Sequence, residues 1–184
     1  MQCILCYQNV GIKTYNGNPL CNNCLNQQKK LIDDFSRNKK CFNYECDEII
    51  KDRLYLGNYD FALNKELLKK KNIECILVCG TELECKYHNE FLYLKIDLND
   101  YVEDSLLPYI DKCIKFIDEN KHKKIFVHCN AGVSRSPSII IAYLMKSFNY
   151  SFKEAYNFVK NKRSIINPNE KFIKELKNMN FISK

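Results

Sequence analysis

From residue 48 onward, short apolar runs alternate with apolar positions at helical spacing, the pattern of an α/β layer fold. The runs at 53–56, 73–78, 91–96 and 124–128 predict strands. Between them Leu63, Leu67 and Leu68 lie at helical spacing, as do Tyr109, Cys113, Phe116 and Ile117. The stretch 137–148 is apolar on nearly every side and predicts a buried helix. Ser151 with Glu154 has the form of a capping box. Asn167-Pro168 opens a last helix with Phe172, Ile173 and Leu176 turned inward.

The pattern is different before residue 45. Residues 1–28 are polar and turn-rich, with Asn16-Gly17 and Asn18-Pro19 marking tight turns. Residues 29–47 form a charged, mixed stretch that reads as a linker or connecting helix. The first segment carries Cys3-x-x-Cys6 and Cys21-x-x-Cys24, two pairs separated by the fourteen residues from Tyr7 to Leu20. Cys3, Cys6, Cys21 and Cys24 suit a closed tetrahedral Zn²⁺, a structural site, although the separation is slightly short for such pairs. A segment this small has too little core to fold unaided, which favours metal over free thiols. Cys41 and Cys46 are further candidates for that metal site, at a spacing that is not diagnostic.

Composition narrows the setting. With 46% apolar and 28% charged residues the chain is globular rather than disordered. No apolar run reaches membrane-spanning length. The opening Met1-Gln2-Cys3 lacks a signal-peptide pattern and the glycine that myristoylation needs, so a cytoplasmic or nuclear location is expected. In that reducing setting eleven cysteines point to metal binding or catalysis rather than a disulfide framework. Cys75, Cys85 and Cys113 read as small core residues. The net charge of +7 comes largely from lysine runs that read as solvated faces; the alternative is attraction to a phosphoprotein, an anionic membrane surface or RNA. No membrane association is expected.

The chemistry is concentrated in His128-Cys129-Asn130-Ala131-Gly132-Val133-Ser134-Arg135-Ser136-Pro137. A strand, a tight loop and the start of a buried helix are expected here, so backbone N–H groups and the helix dipole converge on a space the size of one phosphate. Gly132 permits a backbone conformation closed to other residues, and a proline just inside a helix sacrifices no hydrogen bond. At the lip of such a cradle the Cys129 thiolate is stabilised and becomes a nucleophile toward phosphorus. Arg135 can fork two phosphate oxygens, and Ser136 can hydrogen-bond the sulfur as it leaves. A buried structural cysteine would explain neither the arginine nor the setting.

His-Cys, five residues, then Arg-Ser resembles the signature of the protein tyrosine phosphatase superfamily, and HCNAGVSRSP with Ile-Ile-Ile-Ala-Tyr-Leu-Met after it resembles the dual-specificity branch. Arg53-Leu54-Tyr55-Leu56-Gly57 is similar to the opening strand of those domains, and the stretch from Lys162-Arg163 to Pro168-Asn169 to their closing segment. The resemblance implies a protein tyrosine phosphatase-like fold with a central, mostly parallel twisted sheet flanked by helices. It implies a catalytic domain at 48–184; the zinc-binding module at 1–28, read from its cysteine spacing, and the connecting stretch at 29–47 precede that domain, an order that departs from phosphatases of this kind that carry a zinc module after the catalytic domain. It also implies hydrolysis of phosphotyrosine and phosphoserine/threonine through a phosphocysteine, with no cofactor for the chemistry and a phosphoprotein substrate. Residues 130–135 (Asn130, Ala131, Gly132, Val133, Ser134 and Arg135) would hold the phosphate, and an upstream aspartate would be the general acid. Asp100 falls at the matching position, with Asp97 and Asp104 as competitors. The uncharged loop interior disfavours phosphoinositides. Some superfamily members carry a protective cysteine where Cys79 stands, and core packing is the other reading for it.

Two alternatives use the same residues. One is a module that binds phosphoproteins or RNA, with the zinc segment docking on an acidic or RNA partner; Cys129 speaks against it. The other is an RNA 5′-triphosphatase, which shares the nucleophile–arginine loop.

Overall fold

Successive residues of a strand face opposite sides of a sheet, and in this chain both sides are covered. The structure is a computed structural model that describes residues 12–15, 18–21, 44–101 and 104–179. The chain divides into two units, Met1–Asn43 and Tyr44–Lys184. In the first, β1 (Ile12–Tyr15) pairs antiparallel with β2 (Asn18–Cys21), Ile12 opposite Cys21 and Tyr15 opposite Asn18. Cys3, Cys6, Cys24 and Cys41 lie outside the described residues. Among the described residues no group of three or more His, Cys, Asp or Glu side chains is placed to hold a metal ion.

Among its described residues the second unit has five strands: β3 (Cys46–Ile50), β4 (Leu54–Gly57), β5 (Cys75–Cys79), β6 (Leu92–Ile96) and β7 (Ile125–His128). Its helices are α1 (Tyr59–Ala62), α2 (Lys65–Lys70), α3 (Leu107–Glu119), α4 (Arg135–Ser147), α5 (Phe152–Lys162) and α6 (Glu170–Asn178). The strand order is β3-β4-β7-β5-β6. Only the β3–β4 pairing is antiparallel, so the sheet is mixed and mostly parallel, as expected.

Leu54, Leu56, Cys75, Leu77, Ile125 and Val127 face α3, α4, α5 and α6 in one core. Tyr55, Ile76, Val78 and Phe126 face Phe61, Ala62 and Leu68 of the two short helices in the other. Helix α4 is buried at every position from Arg135 to Met145, as its all-round apolar sequence requires.

Three boundaries differ from the sequence reading. Cys46 and Asp47, assigned there to the connecting stretch, open β3. An edge strand needs little apolar character, and here Ile49 alone is fully inside, beside a register shift between Glu48 and Ile50. Cys46 packs against the Tyr55–Phe126 core, and burial pushes its thiol up to about 12, the behaviour of a core residue. The leucines at 63–68 belong to two helices, because Asn64 breaks the run and caps α2 through Leu67 N. Helix α6 starts at Glu170, since Asn169 is its N-cap, accepting from Phe172 N at 2.9 Å, while Asn167 is drawn to the β7–α4 loop. The capping box at Ser151 and Glu154 is present in full. Among the described residues no helix is long and apolar enough to cross a membrane.

Candidate active site

Strand β7 lies mid-sheet, so the loop that follows it leaves from the carboxyl end of a central parallel strand, where α/β sheets open a crevice. From Cys129 to Ser134 every loop carbonyl accepts a hydrogen bond. Cys129 O meets His128 Nδ1 (3.2 Å), Asn130 O meets Tyr59 N (2.8 Å) and Ala131 O meets Arg163 Nη2 (3.0 Å). Gly132 O meets Arg163 Nε (2.8 Å), Val133 O meets Asn167 N (2.8 Å), and Ser134 O meets Ser138 N and Oγ (3.2 and 2.8 Å). In a trans peptide the N–H points opposite to the C=O. The N–H groups of residues 130–135 therefore turn away from these partners, which is the cradle the sequence implied.

Gly132 has φ +66°, and a Cβ there would come within 2.4 Å of Gly57 O. The turn requires glycine on both counts. Ser134 heads α4 without capping it. Its Oγ instead donates to Asp100 Oδ1 at 2.6 Å, so no side chain competes with an anion for the first turn of the helix.

Cys129 is 2% exposed, and Ser136 Oγ donates to its Sγ at 3.2 Å. Arg135 folds over the same space. Its Nη1 is tied to Glu82, at 2.7 and 2.9 Å from the two carboxylate oxygens, and to Leu98 O at 3.3 Å. Its buried Nε has no hydrogen-bond partner among the described residues. One edge of the guanidinium is thus anchored and the Nε edge is open to a phosphate. Burial is the largest influence on Arg135 and works against its charge, but the bond to Glu82 and the nearby charges of Cys129, Glu82 and Asp100 together outweigh it and raise the pKa further. Gly80 makes room for this packing, since a Cβ there would stand 2.7 Å from Arg135 Nη1.

Asp100 lies at the edge of a 380 Å³ cavity lined by Thr81, Glu82, Asn99, Asp100, Tyr101 and Arg135. Its Oδ1 accepts from both Ser134 Oγ and Asn169 Nδ2 (2.9 Å), and Asn169 N donates to Ser134 Oγ at 3.1 Å. Both donors sit on one oxygen, which leaves Oδ2 to carry a proton. Asp97 is exposed, with its backbone carbonyl bonded to Tyr109 at 2.9 Å. Asp104 has a buried Oδ2 with no hydrogen-bond partner among the described residues, and among these it makes no bond to the loop. Of the three carboxylates, the structure brings Asp100 to the cradle.

His128 stacks on Phe126 and Tyr59 on the opposite face of the sheet. Burial, reinforced by Arg135, lowers its pKa to about 4, so the ring is neutral. Cys79 follows Val78, which pairs with His128; one residue on, Cys79 and Cys129 lie side by side in the same core. Burial first, then Cys113 and Cys129, pushes the Cys79 thiol well above its usual range, so beside the nucleophile it is a protonated packing group. Cys75 and Cys113 are fully buried, and Cys85 is half-buried.

The sequence reading named the loop, its arginine and Asp100. It placed Arg163 and Asn169 only in a closing segment, without a role at the site, and did not name Glu82; no local spacing marks the contacts these three make.

Residues 54–181 match the family described as dual specificity phosphatase, catalytic domain. Dual specificity protein phosphatase 1 of Arabidopsis thaliana is 37% identical over 133 residues, 71% of this chain and 67% of that protein. A probable rhodanese domain-containing dual specificity protein phosphatase of Dictyostelium discoideum is 36% identical over 132 residues, but the match spans only 28% of its length. Among solved structures, the human tyrosine phosphatase-like serine/threonine/tyrosine-interacting protein superposes with a TM-score of 0.68 at 30% identity, over 73% of this chain and 94% of that one.

Proposed function

The chain belongs to the dual-specificity phosphatase family, and from that premise we propose that it removes phosphate from tyrosine and serine/threonine side chains by way of a phosphocysteine on Cys129. The observation that carries the mechanism is the loop whose carbonyls are all held outward around a cysteine and an arginine. Cys129 Sγ attacks phosphorus, and the loop amides of residues 130–135 with the open edge of Arg135 bind the equatorial oxygens. Asp100 Oδ2 protonates the leaving alkoxide or phenoxide, then takes a proton from the water that hydrolyses the phosphocysteine. Ser136 stabilises the sulfur as it is released. No metal takes part in these steps.

The test is direct. Cys129→Ser should abolish hydrolysis of p-nitrophenyl phosphate while the protein still binds vanadate. Arg135→Lys should lose most activity, since a point charge cannot replace the fork. Turnover by Cys129→Ser near that of the parent would remove the covalent mechanism.

A structural Zn²⁺ on Cys3, Cys6, Cys21 and Cys24 belongs to the same reading. It is supported by the β1–β2 hairpin, whose register sets Cys21 opposite Ile12, so that the second cysteine pair starts at the open end of the hairpin. The metal would supply folding energy to a segment with little core of its own. Residues 1–43 hold six basic and two acidic side chains, which favours an acidic partner for this unit. A reducing compartment, cytoplasm or nucleus, suits a catalytic thiol.

A further inference from the structure

Among the described residues Arg163 is the most deeply buried charged side chain outside the phosphate loop, 1% exposed, and the mechanism above gives it no task. It ends α5 as its C-cap, with its N–H bonded to Val159 O at 2.8 Å, and the guanidinium then runs beneath the loop. Nε donates to Gly132 O at 2.8 Å and Nη2 to Ala131 O at 3.0 Å. Nη1 is held from behind by Asp47 Oδ2 at 2.6 Å and Glu45 Oε2 at 3.1 Å, from the start of β3.

The two peptides it grips are those on either side of Gly132, the one loop residue with positive φ. Glycine resists reorientation less than any other residue, so these peptide planes are the easiest in the loop to flip. A flip of either would turn a carbonyl oxygen toward the phosphate in place of the N–H of Gly132 or Val133. Two carboxylates offset the guanidinium charge, so its effect on the loop is one of geometry more than field. A planar fork can hold two adjacent carbonyls and still face the acids behind; an ammonium cannot.

We propose that Arg163, anchored by Glu45 and Asp47, is a positioning residue for phosphoryl transfer that keeps the Gly132 and Val133 amides directed at the substrate phosphate. The proposal rests on the phosphatase reading above. It also gives catalytic weight to residues 45–47, which precede the matched family segment at 54–181.

The full-length chain and its Arg163→Lys variant are compared for p-nitrophenyl phosphate turnover, inhibition by vanadate and by inorganic phosphate, and melting temperature. The variant should melt within a few degrees of the parent. Its vanadate inhibition constant should rise, and its kcat/KM fall, on the order of ten- to a hundredfold, as for a misplaced transition-state contact. The loss should be larger in kcat than in KM, because vanadate and the transition state present three equatorial oxygens to the loop amides. If Arg163→Lys does not fold, Glu45→Gln with Asp47→Asn decides, since it leaves the arginine in place without its anchor. That variant should shift vanadate inhibition in the same direction by a smaller factor. Unchanged vanadate inhibition and kcat/KM in whichever variant folds would reduce Arg163 to a packing residue. A parent protein that neither hydrolyses the ester nor binds vanadate would instead overturn the phosphatase reading itself.

Discussion

Asp100 and His128 show how neighbours set the behaviour of single residues. With Ser134 and Asn169 both on Oδ1, Asp100 presents its other oxygen to a leaving group. Asp100→Ala should therefore slow turnover strongly for phenyl phosphate and much less for p-nitrophenyl phosphate, whose leaving group needs little protonation. Asp97→Ala should show no such dependence; the reverse pattern would move the acid. His128 supplies a stability prediction. Its pKa falls from about 6.5 to about 4 on folding, so below pH 6.5 the unfolded chain binds a proton that the native state refuses. This contribution is fully present above pH 6.5 and is lost as the pH falls toward 4, about 3 kcal/mol in all. Urea unfolding across that range should steepen with acidity in the parent, and the slope should flatten in His128→Asn.

Helix α6 illustrates the element scale. Its apolar stripe is narrow, with Phe172 and Leu176 fully buried against the α3–α5 side of the sheet and Ile173 half-buried. The same helix presents Asn169, its N-cap, to Asp100, so packing on one side supports a contact to the acid on the other. Leu176→Ala should destabilise the chain by about 2–5 kcal/mol in urea unfolding, the range for a large-to-small change in a closed core. Lys177→Ala, one residue on and exposed, should be near neutral. Equal effects would show that α6 is not held by its buried stripe.

For the whole molecule, the division at Asn43 separates the cysteine-rich segment from the unit that carries the contacts described for the candidate active site. Deleting residues 1–28 should leave p-nitrophenyl phosphate hydrolysis close to that of the full chain. Metal analysis should find about one zinc per full-length chain and none after the deletion. Zinc retained by the shortened chain would place the metal elsewhere, and a large loss of hydrolysis would make the first unit part of the catalytic machinery.

What the sequence by itself determined is whatever is encoded within one turn or one strand. The nucleophile, its arginine and the glycine between them lie within seven residues, and the strand-loop-helix that presents them follows from local apolar pattern. Leu54, Val127 and Ile139 belong to runs whose period announces their burial. Cys46–Ile50 is the counterexample: an edge strand with one inward residue has hardly any period to read, and only pairing with β4 makes it a strand. Glu82, Arg163 and Asn169 are ordinary polar residues along the chain. They acquire their places because β5 and α5 end, and α6 begins, near the carboxyl edge of β7, where the loop offers an arginine and two outward carbonyls and Asp100 stands beside it. Hydrogen bonds between residues 31 to 118 positions apart leave no mark in local spacing, so the tertiary structure alone decided them.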